Sequence, residues 1–313
     1  YIIDARTGLK KTTSKYCKAI GFILILVPGL LLAVSSHAQN NCDEEFLEYY
    51  KNEMFSHVKA VRTEKALNLT DSLIPILENE SFNICENYFW IKFYKGEAYE
   101  LKADYELSIQ EYQNILNSIP EKKWTTLQTE TYLSLARLHE AIGRPEDCLR
   151  YLKKGLEIIE ISGNQGLYSR YCIRYASYHR IYESRDSAFT YAAKALKTGK
   201  ATQTDRSILD GHLLLGILHE NIDSALYHFD IITKLYLNRD NYYGAISQIL
   251  NMAVLLLDAG FDNRAKHQIE KALIYEDSLH QNYPKEYAVV ADIHRLKSRY
   301  FKKKQKYDSA LFY

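Results

Sequence analysis

His139, His179 and His219 recur at intervals of 40 residues, and imidazoles that recur in register first suggest a metal site. Zinc needs its ligands to converge within about 2 Å of one ion. Residues that hold the same place in successive helical units stand a helix diameter apart instead, on the order of 10 Å. Tyr99 occupies the equivalent place 40 residues before His139, so the three histidines read as ring-packing positions and no metal is expected. His139-Glu140 also lacks the second histidine four residues on that a zinc-protease helix requires. The sequence has no glycine-rich phosphate loop, no Gly-x-Ser-x-Gly elbow, no dinucleotide fingerprint and no C-x-x-C spacing. Asp43-Glu44-Glu45 reads as negative charge at a helix start, where the dipole favours it. The chain is therefore read as a non-enzyme with no catalytic residue and no cofactor.

What could position a binding surface follows from composition. The 313 residues are 47% apolar and 25% charged, with 40 basic and 39 acidic side chains, a balance that gives no reason to expect a nucleic-acid partner. Only 13 glycines and 5 prolines break the chain, so long helices are favoured over a turn-rich sheet fold. Tyr1 to Leu9 show no periodicity. Lys10, Lys11, Lys15 and Lys18 then precede a 16-residue apolar run from Ala19 to Val34, followed by Ser36-His37-Ala38. A positive flank, a short apolar core and small residues are the parts of a secretory signal, and the run falls short of the roughly 20 residues needed to span a bilayer. Cleavage after Ala38 is expected, which makes residues 1–38 a leader and the mature chain periplasmic or membrane-anchored. Removal takes five basic residues and Asp4, leaving 35 basic against 38 acidic, a net −3. Cys42 lies too far past the small residues to be a lipoprotein acceptor. Cys42, Cys85, Cys148 and Cys172 then share an oxidising compartment with three possible pairings; Cys148 and Cys172 fall at small core positions and read as buried thiols.

A repeat of about forty residues organises the rest. Gly96, Ala136, Ala176, Gly216, Ala253 and Ser298 are small residues in helix-like stretches, spaced 40, 40, 40, 37 and 45. Ser108, Cys148, Ala188, Ala225, Ala265 and Ala310 follow twelve later, except that Gly216 and Ala225 are nine apart, which suggests a turn shortened by three. Each second small residue opens a pattern of fours and threes: Ala188, Ala192, Ala195; Ala225, Phe229, Ile232; Ala265, Ile269, Ala272. Such steps keep side chains on one helix face. Gly143 before Pro145, and Gly260 before Asp262, are a helix stop and a helix start. Asp186, Asp223 and Asp308 each open an Asp-Ser-Ala tripeptide and are expected to cap the second helix. Small residues recur where two helices approach closely.

Helix, turn, helix with this spacing resembles the tetratricopeptide repeat family. Ala136, Gly143, Cys148, Leu152 and Gly155 follow its pattern, as do Ala253, Gly260, Ala265, Ile269 and Ala272, and Gly96, Tyr99, Ser108, Tyr112 and Pro120 add the aromatic and the terminal proline. The resemblance implies an all-α, right-handed solenoid over residues 84–313 in about six units, after an atypical helical unit over 39–83 around Ala66 and Leu73 that Pro75 is expected to bend. Units longer than the family's usual length imply extra residues in the connections. The last unit wants another anchor and about two more turns after Tyr313, so the sequence is expected to be a fragment.

In that family the first helices line a concave groove, and the places six and three before, and one and four after, the small residue share a face. They are Trp90, Phe93, Glu97 and Glu100; Glu130, Leu133, Arg137 and Glu140; Arg170, Ile173, Ser177 and Arg180; Asp210, Leu213, Ile217 and Glu220; and Arg295, Arg299 and Lys302. Apolar residues between charges suit a protein or peptide partner laid across the units, aromatic anchors giving affinity and charges giving register. The basic run from His294 to Lys306 reads as a solvated face, or as a surface for an acidic partner or anionic membrane. Membrane contact is otherwise expected only through the signal segment or a part beyond Tyr313. Two functions follow: an exported interaction scaffold, or the sensory solenoid of a membrane-bound histidine kinase or transcriptional regulator whose output domains lie beyond Tyr313.

Overall fold

The computed structural model describes residues 44–79, 82–119, 123–282 and 287–312. The expectations for the leader, Asp43, Cys42 and Pro120 lie outside them. Among the described residues the regular structure is helical, without a strand. The chain divides into two compact units, the first ending at Asp104 and the second beginning at Tyr105.

The first unit holds α1 (Glu44–Lys59), α2 (Thr63–Asn79), a 3-10 turn (Phe82–Ile84) and α3 (Glu86–Leu101). Both α1 and α2 pack on α3, and Leu47, Met54, Ala66, Leu77, Ile91 and Ala98 are fully buried among them. Pro75 lies inside α2, which runs on to Asn79; it removes one amide donor without ending the helix. Cys85, just before α3, is disulfide-bonded.

The second unit runs through α4 (Tyr105–Ser118), α5 (Thr125–Ala141), α6 (Pro145–Ser162), α7 (Gln165–Tyr182), α8 (Arg185–Ala201) and α9 (Asp205–Leu218), then α10 (Ile222–Leu237), α11 (Tyr242–Asp258), α12 (Asp262–Ile274), α13 (Glu276–Asn282), α14 (Tyr287–Lys303) and α15 (Tyr307–Phe312). From α4 to α13 each helix packs on the next, α14 packs on α11, α12 and α15, and α5 on α7 and α7 on α9 add contacts between first helices of successive pairs. This is a helical-repeat solenoid, a fold in which stability comes from each unit and its neighbour.

The forty-residue period comes from helix length. The helices α5 to α8 have 17 or 18 residues, and the links Ile142–Arg144, Glu183–Ser184 and Gly163–Asn164 are short. For α5 to α8 the expectation of extra residues in the connections is thus wrong, since about one more turn in each helix carries them; after α12 it holds, for the connection there contains a further helix, α13. The shortened turn after Gly216 is corrected in the same way. The link His219–Asn221 is as long as Ile142–Arg144, but α9 ends at Leu218, two residues past its small residue, whereas α5 runs to Ala141, five past Ala136. The missing residues come off the end of α9.

The small residues stand where side chains cross between helices. Ala136, Ala176 and Ala253 are fully buried, and a Cβ on Gly216 would meet the Phe229 ring at 3.1 Å. A Cβ on Gly155 would overlap the ring end of Tyr171, whose hydroxyl donates to the Thr129 carbonyl at 2.7 Å. The sequence period reappears as hydrogen bonds between units, as in Ser169 with Ser207 at 2.7 Å across 38 residues. Gly143 and Gly260 end α5 and α11 with φ of +72° and +84°, a left-handed backbone that costs glycine little.

The capping expectation is corrected. Ser184 accepts from Ser187 N at 3.3 Å and Asn221 from Ser224 N at 2.9 Å, so the caps lie two residues before Asp186 and Asp223. Both aspartates sit in the first turn, as Asp308 does; there they meet the dipole but hold no amide. Cys148 and Cys172 are buried free thiols, as the spacing suggests. Burial raises them to about 12 and about 11, far from thiolate chemistry at neutral pH.

Candidate functional site

The face six and three before, and one and four after, each small residue is best developed on α5, α7 and α9. Helix periodicity aligns these places, and the contacts of α5 with α7 and α7 with α9 bring neighbouring rows together. Much of the charge there is spent between the helices. Arg170 pairs with Glu130, the residue at the same place one unit earlier. Glu140 accepts from Ser177 Oγ at 2.6 Å and from Arg174 at 3.2 Å. These pairs set the register of neighbouring units. Arg137 is half-buried and Arg180 exposed.

The apolar places differ among themselves. Leu133 is only 7% exposed; it packs between helices and cannot be the anchor expected of it. Ile173 and Leu213 are half-buried, and Ile217 is 48% exposed. Glu220 needs a correction for a physical reason: α9 has ended, so Glu220 lies in the link and pairs with Arg185 at 3.2 Å instead of extending the helix face.

Trp90 is half-buried, its indole N–H donating to Glu86 at 3.2 Å, and its ring meets Phe93 at 5.3 Å and Tyr94 at 6.0 Å. Phe93 is 4% exposed and so belongs to the packing, which corrects its expected role as an anchor. Glu97 and Glu100 are half-buried on α3. Phe55 of α1, 45% exposed, reaches Tyr94 at 5.6 Å and extends the aromatic face.

Two features of the second unit go beyond what the sequence predicts. The first is a cavity of about 360 Å³ between α11 and α14, lined by Ser247, Leu250, Asn251, Val254, Arg295 and Arg299 among others. The same spacing applied to Ala253 gives Ser247, Leu250 and Val254, so the sequence does carry a signal for it. The second is a histidine cluster. His139 and His179 do pack rings, against Tyr151 at 5.2 Å and Tyr191 at 5.2 Å. His219, however, stacks on His228 at 5.2 Å, and His228 Nδ1 lies 2.8 Å from Nδ1 of buried His212. That bond needs one N–H and one lone pair, so at least one ring of the pair is neutral. Burial, then His228 and Lys200, lower His212 to about 4, and His228 is lowered as well. Among the described residues no group of three or more His, Cys, Asp or Glu side chains is placed to hold a metal, and no helix is long and apolar enough to cross a membrane.

No protein-family model matches the chain, and no curated protein matches it in sequence. Solved structures do. A tetratricopeptide repeat protein from Parabacteroides merdae is 16% identical, with a TM-score of 0.53 over 85% of this chain and 90% of its own. A Rap protein complexed with competence and sporulation factor is 13% identical, with a TM-score of 0.53 over 86% and 95%. A signal-transduction ATPase with numerous domains from Pyrococcus horikoshii, which carries a tetratricopeptide repeat sensor, is 16% identical with a TM-score of 0.57; the match takes 87% of this chain but only 48% of that one. At such identities it is the fold that is shared: the chain has the tetratricopeptide-like helical repeat fold.

Proposed function

We propose that this chain is an exported scaffold that binds a protein or peptide segment along the first helices of its second unit, without chemistry of its own. The observation that carries the reading is the row Ile173, Leu213 and Ile217, apolar and part-exposed, beside a ladder of charges already paired within the protein. Apolar anchors next to satisfied polar groups favour a ligand that buries side chains and draws its hydrogen bonds from its own backbone. Similar folds that hold a peptide or signalling factor in their crystals, the Rap complex among them, support the same reading. Ile217→Glu is expected to weaken peptides selected from a displayed random library against the wild-type protein by about tenfold, because it places a charge at a half-exposed apolar anchor. Ile217 is open enough for circular dichroism to stay unchanged, and equal affinity for both proteins would reject the groove.

Export rests on the leader-like segment and on disulfide-bonded Cys85, since such bonds persist in oxidising compartments. Expression in a secreting bacterial host followed by N-terminal sequencing should read Gln39 first; a retained Lys10 would refute it. The sensory reading is favoured by the repeat sensor of the Pyrococcus ATPase. A run of about 20 apolar residues beyond Tyr313 would select it.

A further inference from the structure

The cavity between α11 and α14 lies next to a connection that is built differently. Elsewhere in the second unit the second helix of one pair leads through a short link into the first helix of the next, as α6 leads into α7 through Gly163 and Asn164. After α12 an additional helix, α13, intervenes and packs on both α11 and α12. Its Leu279 is fully buried in the same cluster as Val289, Ile293 and Leu296 of α14. Helix α14 itself packs directly on α11 and α12, and the recess opens beside it.

The recess has an apolar floor and a charged wall of two arginines and Asp292. Leu250 is buried and Val254 part-exposed on α11, while Arg295 and Arg299 face them from α14. Arg295 uses one terminal nitrogen to hold Asp292 at 2.9 Å, and Arg299 uses one for Asp258. Each guanidinium has five N–H donors in a planar fork, so donors remain on both. The surroundings add positive charge. Arg295, Lys297, Arg299, Lys302, Lys303, Lys304 and Lys306 are seven cations, against the four carboxylates Asp258, Asp262, Asp292 and Asp308, leaving an excess of three. Lys303 and Lys304 both hold Asp262, at 2.9 Å, and the charges that line the cavity are Arg295, Arg299 and the Asp292 that Arg295 holds, two positive against one negative.

We propose that this recess is an acidic-side-chain subsite, in which an Asp or Glu of a bound extended peptide places its carboxylate between Arg295 and Arg299 and its methylenes on Leu250 and Val254. The proposal rests on the groove reading above, because Arg295 and Arg299 hold the same places on α14 as Ile173 holds on α7 and Leu213 and Ile217 hold on α9. It adds the chemistry of the partner: the segment is acidic. A cavity of about 360 Å³ is at the small end of ligand pockets and admits one or two side chains, not a folded domain. A planar lipid surface cannot reach Leu250, which is buried at the floor, whereas a side chain entering the recess can.

Fluorescence polarisation on the full chain tests this with three synthetic peptides that share an alternating Ala/Tyr frame and carry Glu, Gln or Lys at the variable places. The Glu peptide is expected to bind about tenfold more tightly than the Gln peptide, with the difference shrinking at high salt. Arg295→Gln/Arg299→Gln should erase that difference and leave the Gln peptide unaffected, whereas Arg295→Lys/Arg299→Lys should keep part of it. Both arginines are exposed, at 82% and 51% of their side chains, so these variants fold. Equal binding of the Glu and Gln peptides to the wild-type protein, with both weakened by Ile217→Glu, would overturn the subsite and leave the groove standing. Failure of all three peptides to bind would overturn both. Phosphatidylglycerol vesicles that bind more tightly than the Glu peptide, and lose binding in the glutamine variant, would assign the two arginines to a membrane surface instead and overturn the proposal.

Discussion

Gly155→Ala is expected to destabilise the second unit by about 2 kcal/mol or more, although alanine is the better helix former by about 1 kcal/mol. Helix propensity and packing act in opposite directions here, and packing wins. A Cβ at this place would lie inside the van der Waals surface of the Tyr171 ring end. The ring cannot swing aside cheaply, since Tyr171 is fully buried and its hydroxyl donates to the Thr129 carbonyl at 2.7 Å. Either α6 moves away from α7, opening voids along their contact, or Tyr171 leaves its site and gives up burial worth several kcal/mol. Urea denaturation followed by circular dichroism measures the total. A double-mutant cycle with Tyr171→Leu isolates the contact: in that background Gly155→Ala should cost little or even stabilise. If Gly155→Ala is neutral or stabilising in the wild-type background, α6 and α7 do not meet through Tyr171. Because solenoid units depend on their neighbours, amide exchange should also rise first in α6 and α7.

The same pair of residues shows what the sequence makes legible. Gly155 is readable as a close approach between helices, because small residues in phase with a forty-residue period mark the places where helix axes come nearest. That Tyr171 fills the gap is not readable, since which large residue crosses to which small one depends on three-dimensional packing. The Arg170–Glu130 pair is in principle legible, as opposite charges stand 40 residues apart at the same place; it shows only when two units are aligned on each other. Leu133 and Phe93 turn inward because a face defined by spacing has a width, and its inner edge merges with the helix contact. The caps differ from expectation on other grounds. Asp-Ser-Ala is conspicuous as a tripeptide, but the backbone enters the helix two residues earlier, at Ser184 and Asn221. The cavity beside α14 is half legible: Ser247, Leu250 and Val254 follow the spacing on Ala253, but the seven residues of α13, in the connection that leads into α14, are too few to give a periodic signal.

Acidification is expected to weaken the fold between about pH 6.5 and pH 4, with His212 alone contributing up to about 3 kcal/mol. His212 is held at about 4 in the folded chain, below its ordinary 6.5. A histidine lowered in this way binds fewer protons folded than unfolded across that interval. Its neutral form is no burden above 6.5, and stability is lost as pH falls from there towards the folded value. Burial dominates, and the charges that add to it act in the same direction: His228 from α10 and Lys200 from α8 on His212, and His219 and Lys200 on His228. No carboxylate figures among these neighbours to offset them. Asp262 is lowered from 3.8 by Lys303 and Lys304, so its own loss comes at still lower pH and leaves the window to the histidines. A second protonation would also set two N–H donors against each other across the 2.8 Å contact. His212→Gln should flatten the decline, at the cost of some stability near neutrality, and urea midpoints measured near pH 7 and near pH 5 compare the two proteins. Parallel declines in wild-type and variant would show that water already solvates the cluster. The truncated end of α9 gives the effect its location: with its last turn missing, His219 is drawn into the link, within stacking distance of His228, and amide exchange at lowered pH should open α9 and α10 before the rest of the stack.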